Sequence, residues 1–198
     1  MLTRIKTTNR QPGPWLLLIL LFMLMGCSTM TIDDYADDRP ALNIEEYFLG
    51  ETIAWGMFQD RFGTVQKRFK VLMNGKLNDK KLVLDEDFIY ADGTQSKRIW
   101  TITMLGNGRY EGTAGDIVGQ AVGRSAGNAF NFKYQMRLPI SGREWVVTFD
   151  DWMFLQEDQV LLNVATMSKW GIRLGTLTVA FEKPSHKKTA TGPGSHDR

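Results

Sequence analysis

The chain has 198 residues, 24 Lys+Arg against 22 Asp+Glu for a net charge of +2, one cysteine and two histidines. A single cysteine excludes an internal disulfide, and so even a charge balance gives no electrostatic case for nucleic acid. The length fits one domain.

Arg4, Lys6 and Arg10 give the N-terminus a positive front, and residues 15–25 form an unbroken apolar run of eleven. Signal-peptide cores span roughly 7–15 residues, whereas a helix crossing a bilayer needs ~20. The run ends in Leu24-Met25-Gly26-Cys27, the pattern of a bacterial lipobox. Glycine at the cut site lets a peptidase reach the backbone, and the cysteine sulfur takes the diacylglycerol. The sequence predicts a leader over 1–26 and lipidation of Cys27; the alternative is an ordinary cleaved signal beside a chance cysteine. Two or more acyl chains anchor stably. Ser28 after the cysteine points to the outer membrane of a cell envelope, facing the periplasm. The three leader cations exceed the net charge, so the chain that follows is close to neutral.

Residues 27–43 are polar and acidic, with Asp33, Asp34, Asp37 and Asp38 around Tyr35. They read as a lipid-anchored tether. Residues 184–198 hold Pro, Gly, Ser, Thr and charge without apolar period, the composition of a disordered tail, and contain both His186 and His196. The domain between, 44–183, has a period of two. A short helix is expected over 44–49. Val65, Lys67, Phe69, Val71 and Met73 share one parity, as do Leu82, Leu84, Glu86, Phe88 and Tyr90. Trp100, Ile102 and Met104 follow, then Phe130, Phe132, Tyr134, Met136 and Leu138 alternating with Asn131, Lys133, Gln135 and Arg137. Such alternation is that of half-buried strands. Asn74-Gly75, Asp92-Gly93, Asn107-Gly108 and, more weakly, Ser141-Gly142 read as hairpin turns, because their central residues tolerate positive φ. The fold class is therefore all-β: an antiparallel meander closing as a sandwich or barrel. Residues 106–127 are the least regular stretch, with seven glycines around Asp116-Ile117-Val118-Gly119. They read as bulges and bends, or as a loop at a cavity mouth.

No catalytic constellation stands out. Gly123-Arg124-Ser125-Ala126-Gly127 matches a nucleophile elbow, but that device needs a strand-to-helix turn over a parallel sheet. In Asp150-Asp151-Trp152, the two aspartates point to opposite faces. The parity of Trp145, Val147 and Phe149 puts Asp151 inside, where a charge needs a partner. Counted outward from the Asp92-Gly93 turn, Glu86 and Arg98 stand nearly opposite one another. They form either a buried pair closing one end of the barrel or an arginine awaiting a carboxylate or phosphate. Lys169 is either a buried Schiff-base lysine or a hairpin lysine beside Trp170. Asn128 and Asn163 read as amides satisfying backbone. No metal, cofactor or phosphate-binding loop is expected.

These residues resemble an uncharacterised family of bacterial lipoproteins, domain of unknown function 3833. The resemblance runs through Tyr47-Phe48-Leu49-Gly50, Ala54-Trp55-Gly56, Asp60-Arg61-Phe62-Gly63 and Glu86-x-Phe88-x-Tyr90-x-Asp92-Gly93. It continues through Arg98-x-Trp100, Tyr110-x-Gly112, Gly127-Asn128-Ala129, Phe149-Asp150-Asp151-Trp152-Met153 and Asn163-x-Ala165-x-Met167-x-Lys169-x-Gly171. It implies location and fold and no activity. The meander is also similar to lipocalin-like (calycin-type) barrels, a fold analogy that leaves function open.

The leading expectation is a membrane-anchored barrel holding an apolar ligand such as a fatty acid or another envelope lipid. Glu86, Arg98, Trp100, Tyr110 and Asp151 are its candidate ligand-binding residues. The alternatives are an enzyme acting on envelope lipids through Asp151, Glu86 or Tyr110, and an interaction module with a filled core. Barrels of about eight strands either hold one small ligand or fill with side chains.

Overall fold

The computed structural model describes residues 30–140 and 142–184, with Asp158 lacking a described side chain. The leader over 1–26, Cys27, Ser28, Ser141, His186 and His196 lie outside the described residues, and the tail is described only at Pro184. Residues from Ile32 onward belong to one compact unit; of the preceding unit, Met1–Thr31, only Met30 and Thr31 are described.

A single turn of 3-10 helix, Ile32–Tyr35, precedes the one-turn helix α1, Ile44–Tyr47. The Asn43 side chain caps α1 by accepting from the Glu46 amide at 3.1 Å, as expected of an N-cap asparagine. Ten strands follow. β1 is Gly50–Asp60, β2 Val65–Asn78, β3 Lys81–Tyr90, β4 Gln95–Gly106 and β5 Arg109–Thr113. β6 is Ile117–Ala126, β7 Ala129–Ile140, β8 Arg143–Leu155, β9 Leu161–Lys169 and β10 Ile172–Glu182. Each pairs antiparallel with the next, and β1 also pairs with β10, so the meander is a closed barrel. Closure leaves no exposed strand edge.

The period-two reading holds along β3, β4 and β7, whereas on β2 only Val71 and Met73 of the expected face are buried and Val65 and Lys67 are exposed. On β7, Phe130, Phe132, Tyr134 and Met136 are buried while Lys133, Gln135 and Arg137 are exposed. Leu82, Leu84 and Glu86 on β3 and Trp100 and Ile102 on β4 face inward as expected. The turns at 61–64, 91–94, 114–116 and 170–171 gather at one end. α1 plugs the other: Ile44, Tyr47 and Phe48 are buried. The Tyr47 hydroxyl donates to the carbonyls of Gln159 at 2.9 Å and Phe181 at 3.1 Å. Burial pushes that phenol up to about 12, so it remains a donor.

Two expectations are corrected. Asn74-Gly75 does not turn: β2 runs through both, with Gly75 paired to Gly50 and Leu84, and the chain reverses at Asp79, φ 51°. Gly75 is needed for a different reason, since a Cβ there would overlap the carbonyl of Phe48. The Asp92-Gly93 and Asn107-Gly108 turns do form, with Gly93 at φ 84°, Asn107 at φ 53° and Gly108 at φ 64°. Residues 106–127 are largely strand, and the bulge reading is right: β6 shifts register against β7 between Val118 and Val122. Finally, the segment read as a tether is docked from Ile32 on. Ile32 and Leu42 are buried, the Tyr35 ring packs on Trp152 and Phe154, and the Leu42 amide donates to the Gly127 carbonyl at 2.8 Å. Gly127 admits this contact because a Cβ there would strike the Tyr35 carbonyl. The acidic composition hid an anchor made of three well-spaced apolar residues.

Candidate ligand cavity in the barrel

The inward faces leave a cavity of about 110 Å³. Its walls are mostly apolar and aromatic, among them Phe69, Phe88, Trp100, Phe132 and Phe181, and it reaches Ile44 and Phe48 at the plugged end. Trp100 sits against Phe132 and Tyr134 with ring centroids 5.3 and 5.4 Å apart. Three buried polar residues also line the cavity: Glu86 is 8% exposed, Asp151 5% and Asn163 3%.

Strand register places each of them. Glu86 and Arg98 are direct cross-strand partners on β3 and β4, as the count from the turn predicts. Their closest approach is nevertheless 3.9 Å, from Nη1 to Oε2. The tighter partner of Arg98 is Asp116, in the turn between β5 and β6. Nε donates to Oδ2 at 3.0 Å and Nη2 at 2.7 Å. The guanidinium also lies 5.3 Å over the Phe88 ring. Burial works against the charge on Arg98, but Glu86 and Asp116 outweigh it and raise its pKa.

Across the lumen, β8 presents Asp151. Its pairing opposite Phe132 turns it inward, whereas Asp150 opposite Lys133 faces out and pairs with that lysine at 3.2 Å. Among the described residues, no cation is within ion-pair distance of Asp151. Its Oδ2 accepts from the Tyr134 hydroxyl at 3.2 Å and from Asn163 Nδ2 at 3.5 Å. Asn163, expected to serve backbone, therefore serves this carboxylate. Asn128 does serve backbone, donating to the Leu155 carbonyl.

Burial dominates the acidities. It pushes Glu86 up to about 7, against the pull of Arg98 and with the help of Asp116, Asp151 and Asp85. It pushes Asp151 up to about 7, against the hydrogen bonds from Tyr134 and Asn163. Even so, Glu86 Oε2, Asp151 Oδ1 and Asn163 Oδ1 are buried without any hydrogen-bond donor. Such atoms are rare in folded proteins, and each costs about 1–3 kcal/mol.

The cavity thus gathers four of the five residues expected to bind ligand: Glu86, Arg98, Trp100 and Asp151. Tyr110 is set apart from it. Its ring packs on Phe130 and its hydroxyl donates to Glu45 at 3.1 Å. Sequence reasoning missed Asp116 as the partner of Arg98, although it had marked the glycine-rich stretch that carries it. The Gly123–Gly127 motif lies on β6 and its hairpin to β7, with no strand-to-helix turn. Lys169 is the hairpin lysine, its Nζ 4.5 and 4.9 Å from the Trp145 and Trp170 rings. Among the described residues no three His, Cys, Asp or Glu side chains are grouped to hold a metal.

No curated protein matches this sequence. Among solved structures, the chain is similar to the S-type phycobiliprotein lyase of Guillardia theta. The TM-score is 0.52 at 5% identity, over 77% of this chain and 96% of that one. At that identity the likeness shows the calycin-like fold and carries no chemistry. A family model described as protein of unknown function (DUF3833) matches residues 21–183, and the chain belongs to that family.

Proposed function

We propose that the barrel binds a small molecule with an apolar body inside its lumen, as a ligand carrier of the cell envelope. The observation that carries this reading is the cavity itself: an aromatic chamber in which three buried polar atoms have no hydrogen-bond partner. A core evolved only for packing leaves few such atoms. An apolar cavity of about 150 Å³ admits a benzene-sized guest, so a ring or a short acyl segment suits a chamber of about 110 Å³. The expected result of native mass spectrometry on the full chain, purified from its own host, is one co-purifying apolar molecule per chain. An empty protein that also fails to take up an apolar fluorescent probe overturns the reading in favour of a filled core.

The site of action belongs to the same proposal. Lipid on Cys27 holds the barrel at the outer membrane, facing the periplasm. Cys27→Ser is expected to move the protein from the membrane fraction to the soluble fraction on cell fractionation. Retention of the variant in the membrane fraction counts against the anchor.

A second reading has an observation of its own. Two carboxylates near pKa 7 in one chamber suit general acid–base chemistry at neutral pH. If the lumen is an active site, incubation with the co-purified ligand changes the ligand's mass, and Glu86→Gln or Asp151→Asn abolishes the change. A carrier returns the ligand unaltered.

A further inference from the structure

We propose that the lumen selects ligands whose buried head is a hydrogen-bond donor and a cation, an apolar amine, and discriminates against fatty acids and other carboxylates. This rests on the reading of the lumen as a binding site and adds the chemistry of the head group.

The argument begins with what is left over. Glu86 Oε2 comes from β3, and Asp151 Oδ1 and Asn163 Oδ1 come from β8 and β9 on the opposite wall. All three are acceptors. The orientation of Asn163 follows from its partner: its amide must turn NH₂ toward the Asp151 carboxylate, which leaves the oxygen as the free atom. The neighbouring donors are already committed. The Tyr134 hydroxyl and the Asn163 amide both point at Asp151. Arg98 spends Nε and Nη2 on Asp116 and turns Nη1 toward Glu86.

Charge gives the same answer. The groups acting on Glu86 are Arg98 from β4, Asp116 from the turn between β5 and β6, Asp151 from β8 and its own neighbour Asp85. Those acting on Asp151 are Tyr134 from β7, Asn163 from β9, Asp150 beside it and Arg98. One guanidinium, already matched by Asp116, thus stands against two lumen carboxylates. A carboxylate guest would have to break the Arg98–Asp116 fork and face both acids. An ammonium offers three donors and the missing positive charge. Both lumen acids sit well above the usual carboxylate range, so deprotonation near neutrality strengthens the hold on a cation.

Probes of one shape isolate the head group: benzylamine, benzyl alcohol, benzoate and toluene, titrated against the full chain by calorimetry. Benzylamine is expected to bind roughly tenfold or more tighter than benzoate at about pH 8, as charge-assisted hydrogen bonds outweigh neutral ones. Its lead is expected to shrink at about pH 5.5, where the acids are protonated. In E86Q/D151N the preference for benzylamine over benzyl alcohol disappears while benzyl alcohol still binds. Benzoate or toluene binding the wild type as well as benzylamine overturns the selection and leaves the cavity standing. Failure of all four probes to bind overturns the cavity reading and the selection together.

Discussion

In urea, the barrel is expected to unfold at a clearly lower denaturant concentration at about pH 8 than at about pH 5, the reverse of ordinary acid destabilisation. The cause is the pair of lumen acids. Glu86 moves from 4.5 to about 7 on folding, and Asp151 from 3.8 to about 7. Between those values the folded chain holds protons that the unfolded chain has released. Stability from these groups is fully present below the unfolded pKa and is lost as pH rises toward 7, with little further change above it. Each pKa unit corresponds to about 1.4 kcal/mol. The two acids repel one another and share Arg98, so their contributions are not additive. A combined loss on the order of 3 kcal/mol is expected across this window. Asp60 and Asp92 have lowered pKa values from their turn hydrogen bonds and act oppositely, but only at more acid pH. Glu86→Gln with Asp151→Asn should flatten the slope between about pH 5 and pH 8. A wild-type midpoint that does not change across that range would refute the assignment of the two acids.

Replacing Arg98 is expected to cost more than any surface change. Arg98→Ala removes the fork on Asp116, the nearest cation to Glu86 and the guanidinium over Phe88. Deleting one partner of a fully buried ion pair typically costs about 3–5 kcal/mol; the Arg98 and Asp116 side chains are 22% and 34% exposed, so solvent screens the pair and a loss on the order of 2 kcal/mol is expected. The penalty should be smaller at about pH 5, where Glu86 is neutral and needs no cation. Glu86→Gln in the Arg98→Ala background should recover part of the loss at about pH 8. Unfolding midpoints of the two single variants and the double variant measure this directly. Simple additivity, with no dependence on pH, would mean that Arg98 serves Asp116 alone.

Glu86, Arg98 and Asp151 were legible in the sequence because strand parity is a local property. Once the Asp92-Gly93 turn fixes the β3–β4 register, Glu86 and Arg98 must meet. Once Val147 and Phe149 face inward, so does Asp151. Asp116 was not legible. It lies in a turn, where no periodicity assigns a direction, and it reaches Arg98 through a contact between the β5–β6 turn and β4. Asn163 and Tyr134 shared an inward parity with many others, but only closure sets them beside Asp151. The error at Asn74-Gly75 has the same origin. A glycine that makes room for a distant carbonyl and one that turns the chain look identical in one dimension. Tyr110 on β5 is buried, but its hydroxyl lies beside Glu45, away from the lumen acids.

The seam between β1 and β10 bears on how the chain acquires this structure. Every other pairing joins strands adjacent in sequence, so most of the meander can assemble by short loop closures with modest entropic cost. The seam alone joins the barrel's first strand to its last and must wait for β10 to emerge. Until then the growing sheet carries two open edges, the state most exposed to misassociation. Topologically, the finished ring has no first strand. Which seam is left without a turn is an accident of gene order, and the vulnerable interval during synthesis ends only when β10 arrives.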